Sequence, residues 1–522
     1  MAADLTRGAA AGGPRRCAAA GYNPKPMIDR PPLYSRSSLG RTICLVAAGL
    51  VLFGCSRPAF RPNVLLITID TLRADHLGCY GYGRATTPRI DRLAGESALF
   101  TRVTTALPRT TQSIASIMTG RFPKGHGARG LFASLPAANV TLAEVFQQAG
   151  YDTGAVLSNM FLRPGQGFEQ GFAYFDNPPP RHDGDSAGAV TATALRWLRG
   201  RRGDRPWFLW VHYLDPHWTY RPDPPFDRRF DPAFDGPFTL YDDLASGRFT
   251  KGQVIFRDPL SPRQIEHVVA LYDGEIAQVD AALAPLLDEV DRPGSAPLLT
   301  LLTSDHGESL GEHGYSFAHG EYLYEESLRV PLMVRYPGRV PPGLRVGAAA
   351  QNIDVAPTLL ALAGISRLQA ADGRPLLIFD SGQGSEPGSG PAGQEGGGLA
   401  RPAPGRPLVF AESDFQLIHP ENPRYFIPGP AGRWSSVSDG RYKVIRIPRP
   451  NGEFLEMYDL EKDPGELHDL SGAGPATLEI RDRLVREIRK YGDEQPGFGT
   501  PARPEALEPE EERRLRSLGY VN

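Results

Sequence analysis

Five stretches of this chain are apolar almost without interruption, and helical patterns fall between them. They lie at 63–69 (NVLLITI), 153–158 (TGAVLS), 206–213 (PWFLWVHY), 298–304 (LLTLLTS) and 330–336 (VPLMVRY). A strand with one wet face alternates polar and apolar residues, so a strand without alternation belongs inside a sheet covered on both faces. Helical periodicity occurs at 88–98, 113–118, 142–149, 187–198 and 262–290. This order predicts an α/β fold with a mostly parallel sheet between helices. Ligands of such sheets collect beyond the carboxyl ends of the strands. Polar residues that directly follow the apolar runs are therefore the first candidates for chemistry.

The pattern changes after residue 380. Positions 381–407 hold nine glycines and five prolines with no apolar periodicity, which predicts a flexible surface insertion. Apolar segments at 407–412, 442–447 and 455–460 then suggest a small antiparallel unit, followed by a charged helix at 475–490 that opens with proline. The chain thus divides into a catalytic region at 63–380, the insertion at 381–407 and a smaller C-terminal α+β subdomain at 408–522. With 57 Lys and Arg against 60 Asp and Glu, the formal charge is −3, and no global basic field recommends nucleic acid as a partner.

The beginning reads as an address. Residues 43–53 form an uncharged apolar run preceded by Arg36 and Arg41. As a helix it would reach about 16 Å, half of a bilayer core, which suits a secretion signal rather than a span. Leu52-Phe53-Gly54-Cys55 resembles a bacterial lipobox, in which cleavage precedes an acylated cysteine. The expectation is a signal peptide at 1–54, a lipid anchor on Cys55, a short tether at 55–62, and a place in the bacterial cell envelope. Processing there would discard Cys17 and Cys44, leaving Cys79 as the other cysteine and no intrachain disulfide to form with a lipidated Cys55.

Two apolar runs end in metal-ligand chemistry. The first is followed by Asp70 and Thr71, the fourth by Asp305-His306-Gly307-Glu308. Alone, an aspartate at a strand end is as often a cap or turn residue. Together the two runs deliver carboxylates and an imidazole to one sheet edge, and glycine at 307 would let the backbone turn away. A third segment, Arg109-Thr110-Thr111-Gln112-Ser113, opens a short helix that ends at Gly120. Amides at a helix start attract anions, and a threonine hydroxyl beside a divalent cation there would become a nucleophile.

These blocks carry a resemblance. "NVLLITIDTLRADHLGCYGYGRATTPRIDRLA", "TTQSIASIMTGRFPKGHG", "FLWVHYLDPHWTY", "YDGEIAQVD", "SDHGESLGEHG", "HGEYLYEESLRVPLMVRYPG", "IDVAPTLLALAGI" and "YDLEKDPGELHDL" follow one another as in the sulfatase-like branch of the alkaline phosphatase superfamily. The resemblance implies that Asp70, Thr110, Asp305 and His306 bind the metal and that Thr110 is the nucleophile, ten residues before Gly120. It implies that His217 contacts the ester group or leaving oxygen, and that His319 stands where sulfatases usually place a lysine. His126, His313 and Asn159 are secondary candidates.

The departures from a sulfatase matter as much. Such enzymes oxidise a Cys or Ser within Cys/Ser-x-Pro-x-Arg to an aldehyde, whereas this window reads Thr110-Thr111-Gln112-Ser113-Ile114. Threonine cannot give that aldehyde, and Cys79 lies in a segment without the motif. Thr71 replaces the second acid of the family's Asp-Asp pair, and Asn159-Met160-Phe161 stands where many sulfatases carry Lys-Trp-His. In this superfamily, Thr nucleophiles accompany phosphoryl chemistry. The expected activity is metal-dependent hydrolysis of phosphate mono- or diesters; the alternatives are a sulfuric ester hydrolase, an envelope phospho-group transferase and a non-catalytic binding module. With His306 among the ligands, Zn²⁺ or Mn²⁺ is favoured over Ca²⁺, and Mg²⁺ stays open. The expected partner is a small-molecule, glycan or lipid ester. A second metal would require two of His126, His217 and His319 to converge.

Overall fold

The computed structural model describes residues 61–494 apart from 131–132, 178–185, 219, 236–248, 251–252, 257–259, 294–295, 367, 380–398, 414–432 and 450–451. The expected signal segment and Cys55 lie outside the described residues.

Eight strands make the main sheet: β1 (Asn63–Ile69), β2 (Ala98–Phe100), β3 (Asp152–Leu157), β4 (Tyr174–Asp176), β5 (Trp207–Tyr213), β6 (Leu298–Ser304), β7 (Leu332–Arg335) and β8 (Leu344–Val346), in the order β8-β2-β7-β6-β1-β5-β3-β4. β7 runs antiparallel to both neighbours, and the other pairings are parallel. The sheet is therefore mostly parallel. β1 sits at its centre between β5 and β6, with every residue from Val64 to Ile69 buried.

Each face of the sheet has its own helical cover, which is why the central runs carry no polar alternation. On one face Leu66, Phe208, Trp210 and Leu301 pack against α2 (Thr110–Thr119) and α3 (Leu142–Gln148) through Ile114, Ile117 and Phe146, and against α6 (Val355–Leu362) through Leu359. On the other, Leu65, Ile67, Val211 and Leu302 meet α1 (Pro88–Gly95), α4 (Ser186–Gly200) and α5 (Pro262–Val290) through Ile90, Val190, Tyr272 and Ile276. Each fully buried aliphatic side chain here contributes about 1.5–3 kcal/mol through removal from water. α5 starts on a capping box from Ser261 and Gln264, with Pro262 in its first turn.

A second sheet, of antiparallel strands β9 (Val409–Glu412), β10 (Ser435–Ser438), β11 (Tyr442–Arg449) and β12 (Gly452–Asp459), carries α7 (Pro475–Glu494) on one face through Leu484, Val485 and Ile488. Its other face packs Trp434, Ile445 and Tyr458 against Tyr315, Tyr322, Tyr324 and Leu328 of the catalytic region.

Three sequence expectations need correction. The helix from residue 88 stops at Gly95, because Ala98 already pairs with Val334 and Leu344. The helix expected from residue 113 begins at Thr110, whose poor helix propensity is overridden by tertiary packing. The insertion expected across 381–407 is ordered at its C-terminal end: Ala400–Pro402 pairs antiparallel with Leu377–Phe379, and Arg406 forms a fork with buried Asp354. Among the described residues, no helix is long and apolar enough to cross a membrane.

Candidate active site

Asp70 continues the line of β1 by one residue, its N–H donating to the Tyr213 carbonyl at 2.9 Å. The next residue, Thr71, is bent into the left-handed region at φ 52. Such a φ is strained for a β-branched residue and persists only when its surroundings enforce it. Here the Thr71 N–H donates to Asp305 Oδ1 at 3.3 Å and its carbonyl accepts from the Tyr272 hydroxyl at 2.8 Å. Asp305 and His306 leave the adjacent strand β6. Gly307 is required less for a turn than for clearance, since a Cβ there would lie 2.0 Å from the Glu326 carbonyl oxygen.

α2 points its N-terminus at this edge. Thr110 is its first residue, and no side chain caps that end. The amides of the first turn therefore face the site, as they do at anion-binding helix starts. Ser113 ties the helix down by donating to the Asp305 carbonyl at 2.6 Å, and Asn352 donates to Ser113 Oγ at 2.9 Å. At the far end Gly120 adopts φ 66 and returns its N–H to the Ser116 carbonyl.

The four expected ligands converge. Thr110 Oγ1 lies 3.4 Å from Asp70 Oδ2 and 3.3 Å from His306 Nε2. His306 Nε2 is 3.7 Å from Asp70 Oδ1 and 3.5 Å from Asp305 Oδ2. Its Nδ1–H donates to the Gly307 carbonyl at 2.9 Å, so in the neutral ring Nε2 turns a lone pair toward oxygen atoms that also carry lone pairs. Asp70 Oδ1 and Asp305 Oδ2 are buried without a hydrogen-bond partner among the described residues. Burial drives the Asp70 carboxyl up to about 7, although His217 opposes this; burial and the nearby Asp70 charge push Asp305 up as well. Burial likewise holds His306 well below the ordinary imidazole value. Acceptors converging in a dry site are destabilised unless a cation lies between them, so the donor set fits a divalent metal.

Asn159 earns its place beside them. Its Nδ2–H donates to Asp70 Oδ2 at 2.7 Å, and its Oδ1 accepts from the Phe161 N–H. His319 and His217 meet edge to face at 5.2 Å between ring centroids, and His319 lies 4.3 Å from the His306 ring. His217 donates Nδ1–H to the Trp218 carbonyl, and His319 donates Nδ1–H to Glu308 Oε1 at 2.9 Å.

Two secondary candidates belong elsewhere. His126 accepts the Ala128 N–H on Nδ1 and turns Nε2 to Ser116 of α2 at 3.1 Å, so it braces the scaffold. His313 stacks on Tyr324 and faces Glu326 at the junction with the second sheet. Of the three histidines considered for a second metal, only His217 and His319 approach each other.

His212, Arg109 and Glu308 were not singled out by sequence. Single ligand atoms of Asp70, His212 and Asp305 all lie within 4.8 Å of one another. His212 Nε2 is 3.5 Å from Asp70 Oδ2, its Nδ1 meets the Thr68 hydroxyl at 2.8 Å, and burial lowers its pKa to about 4. Its only sequence signal was a titratable residue near the end of an otherwise apolar strand. Arg109 forms a buried pair with Glu321 at 2.7 Å, and its guanidinium occupies the space where a Cβ on Gly320 would sit. Cys79 is not part of the site: its N–H donates to Asp91 Oδ1, and burial together with that carboxylate raises its thiol to about 12.

A strand-end Asp, a second strand-end Asp-His and a hydroxyl at a helix start are the frame of one known family, and its sulfatase model matches residues 62–365. The chain belongs to the sulfatase family. It is 24% identical to the N-acetylglucosamine-6-O-sulfatase of Bacteroides thetaiotaomicron over 544 aligned positions, covering 87% of this chain and 92% of that one. It is 26% identical to a multifunctional alkaline phosphatase superfamily protein of Trinickia caryophylli, covering 82% and 95%. Among solved structures, the phosphonate monoester hydrolase of Agrobacterium radiobacter superimposes with a TM-score of 0.64 at 22% identity, covering 83% of this chain and 96% of that one. As a family member the protein is a sulfuric or phosphoric ester hydrolase.

Proposed function

We propose that this sulfatase-family hydrolase cleaves phosphate mono- or diesters through Thr110. The observation that carries the reading is the Thr110 hydroxyl at the open N-terminus of α2, 3.4 Å from Asp70 and 3.3 Å from His306. A divalent cation held by Asp70, Thr110, Asp305 and His306, with His212 beside them, would neutralise ester charge and lower the pKa of that hydroxyl. The donor set supports Zn²⁺ or Mn²⁺.

The first-turn amides of α2 hold the anionic oxygens of the ester. Thr110 Oγ1, its proton released to solvent water, forms a bond to phosphorus while the bond from phosphorus to the leaving oxygen breaks. That oxygen takes a proton from His217, while burial keeps the His319 ring, oriented by Glu308, in its neutral form. Water then opens the phosphothreonine ester at phosphorus and returns the hydroxyl. Threonine cannot release its anion by collapsing to an aldehyde, so attack at the heteroatom is the route left to it.

Sulfuric ester hydrolysis is the second reading, favoured by the sulfatase relatives such as the N-acetylglucosamine-6-O-sulfatase. A solved structure that superimposes with a TM-score of 0.65 holds D-glucosamine-2-N,6-O-disulfate as its substrate, and this supports an anionic sugar ester as the substrate class.

Aryl phosphate monoesters, diesters and sulfates assayed with wild type, Thr110→Ser and Thr110→Ala sort these readings. The expected outcome is phosphoesterase activity that falls at least about 10³-fold in Thr110→Ala. Sulfatase activity that survives Thr110→Ala removes the nucleophile assignment. Slow hydrolysis that accelerates with an added acceptor alcohol identifies a transferase, and metal-free protein inactive on every ester identifies a binding module. We also propose a lipid anchor at Cys55 and a location in the bacterial envelope. Labelling with radioactive palmitate that persists in Cys55→Ser overturns the anchor.

A further inference from the structure

We propose that His313, Glu326 and Glu466 form a second divalent-cation site, separate from the catalytic centre, that fastens the catalytic region to the C-terminal sheet. One ligand atom from each residue falls within 4.8 Å of the other two. His313 and Glu326 come from the catalytic region; Glu466 comes from the loop after β12. All three side chains are at least nine-tenths buried, at 9%, 7% and 0% exposure.

Glu466 meets Lys443 Nζ through Oε1 and accepts the Glu325 N–H through Oε2, while the other two residues keep open positions. His313 Nε2 and Glu326 Oε1 have no hydrogen-bond partner among the described residues. His313 Nε2 lies 3.9 Å from Glu326 Oε2, too long for a hydrogen bond and within reach of one ion between them. The His313 ring stacks at 3.7 Å on Tyr324, which fixes its plane. His313 and Glu466 also hold left-handed backbones, at φ 57 and φ 54. Non-glycine residues adopt such angles where their surroundings impose them, and functional sites are one such place.

Charge favours the same occupant. Lys443 pairs with both Glu325 and Glu466 at 2.9 Å, and Arg73 answers Glu312 at 2.7 Å but also serves Asp75. Glu326 is left without a Lys or Arg ion pair among the described residues. One imidazole nitrogen with two carboxylates is a set that binds Zn²⁺ or Mn²⁺. Such an ion would also steady the catalytic loop: the Glu326 carbonyl is packed against Gly307, and His313 lies in the segment that leads to His319.

The test is metal counting with position. Full-length wild type dialysed against zinc and freed of excess should hold roughly two ions per chain, falling to about one in His313→Ala and in the isosteric Glu326→Gln. Wild-type crystals should show a zinc-edge anomalous peak between His313 Nε2 and the Glu326 carboxylate, and a separate one between Asp70 and Asp305. A peak at the Asp70 site with none at His313 overturns the proposal, as does an unchanged zinc count in both variants. Loss of only the Asp70 peak would overturn the catalytic reading and leave this one standing.

Discussion

Asp70 keeps its orientation because Asn159 grips one of its oxygens at 2.7 Å, leaving the other directed at His306. Outer contacts of this kind typically set metal affinity within a factor of about 10–100. Asn159→Ala should weaken zinc binding by that amount, read by competition with a chromogenic chelator, while melting temperature changes little. The Asp70 carboxyl, raised by burial to about 7 in the metal-free protein, must lose its proton to act as a ligand. Metal affinity should therefore fall as pH drops from about 8 to about 6, and metal uptake near neutrality should release a proton. Calorimetry in buffers of different ionisation enthalpy reads that proton directly; buffer-independent heats would contradict the assignment. Most of the site was legible because Asp70, Asp305, His306 and Thr110 each stand where an apolar run or a helix begins or ends. His212 was hidden inside its run, and only the register that sets it opposite Thr68 brings it beside Asp70. Arg109 and Glu308 act through Glu321 and His319, partners that spacing along the chain cannot reveal.

At the scale of elements, α6 depends on Asp354. This carboxylate is fully buried, takes the fork of Arg406, and accepts the backbone N–H groups of Arg374 and Gln351. Removing one member of a buried pair strands the other charge, at a cost of about 3–5 kcal/mol. Arg406→Ala should lower stability by that amount in chemical denaturation, more than Arg406→Lys, which keeps the charge. Arg406 lies in the segment whose glycines and prolines suggested flexibility, and composition alone conceals one well-held arginine. The long elements were legible for the opposite reason. β1, β6 and α5 match their expected bounds because continuous apolar runs and a capped proline start are strong local signals. Three-residue strands such as Ala98–Phe100 are too short to show a period, and only their partners define them.

Across the molecule, the C-terminal helix reaches back to the segment after α2. The half-buried ring of Tyr491 stacks on Phe410 at 4.7 Å and meets Phe122 edge to face at 5.0 Å. Tyr491→Ala should cost about 1–3 kcal/mol, reported by melting temperature, with metal content at the Asp70 site unchanged. The central position of β1 has a consequence in time. This strand is the first of the sheet to leave the ribosome, yet its two neighbours are β5 and β6, with Val64 opposite Phe208 on one side and Leu299 on the other. Such non-local pairing makes folding slow and leaves sticky surface open meanwhile. Until residue 304 has been synthesised, this apolar strand waits without both its neighbours, and its two faces and two edges stay open on the nascent chain.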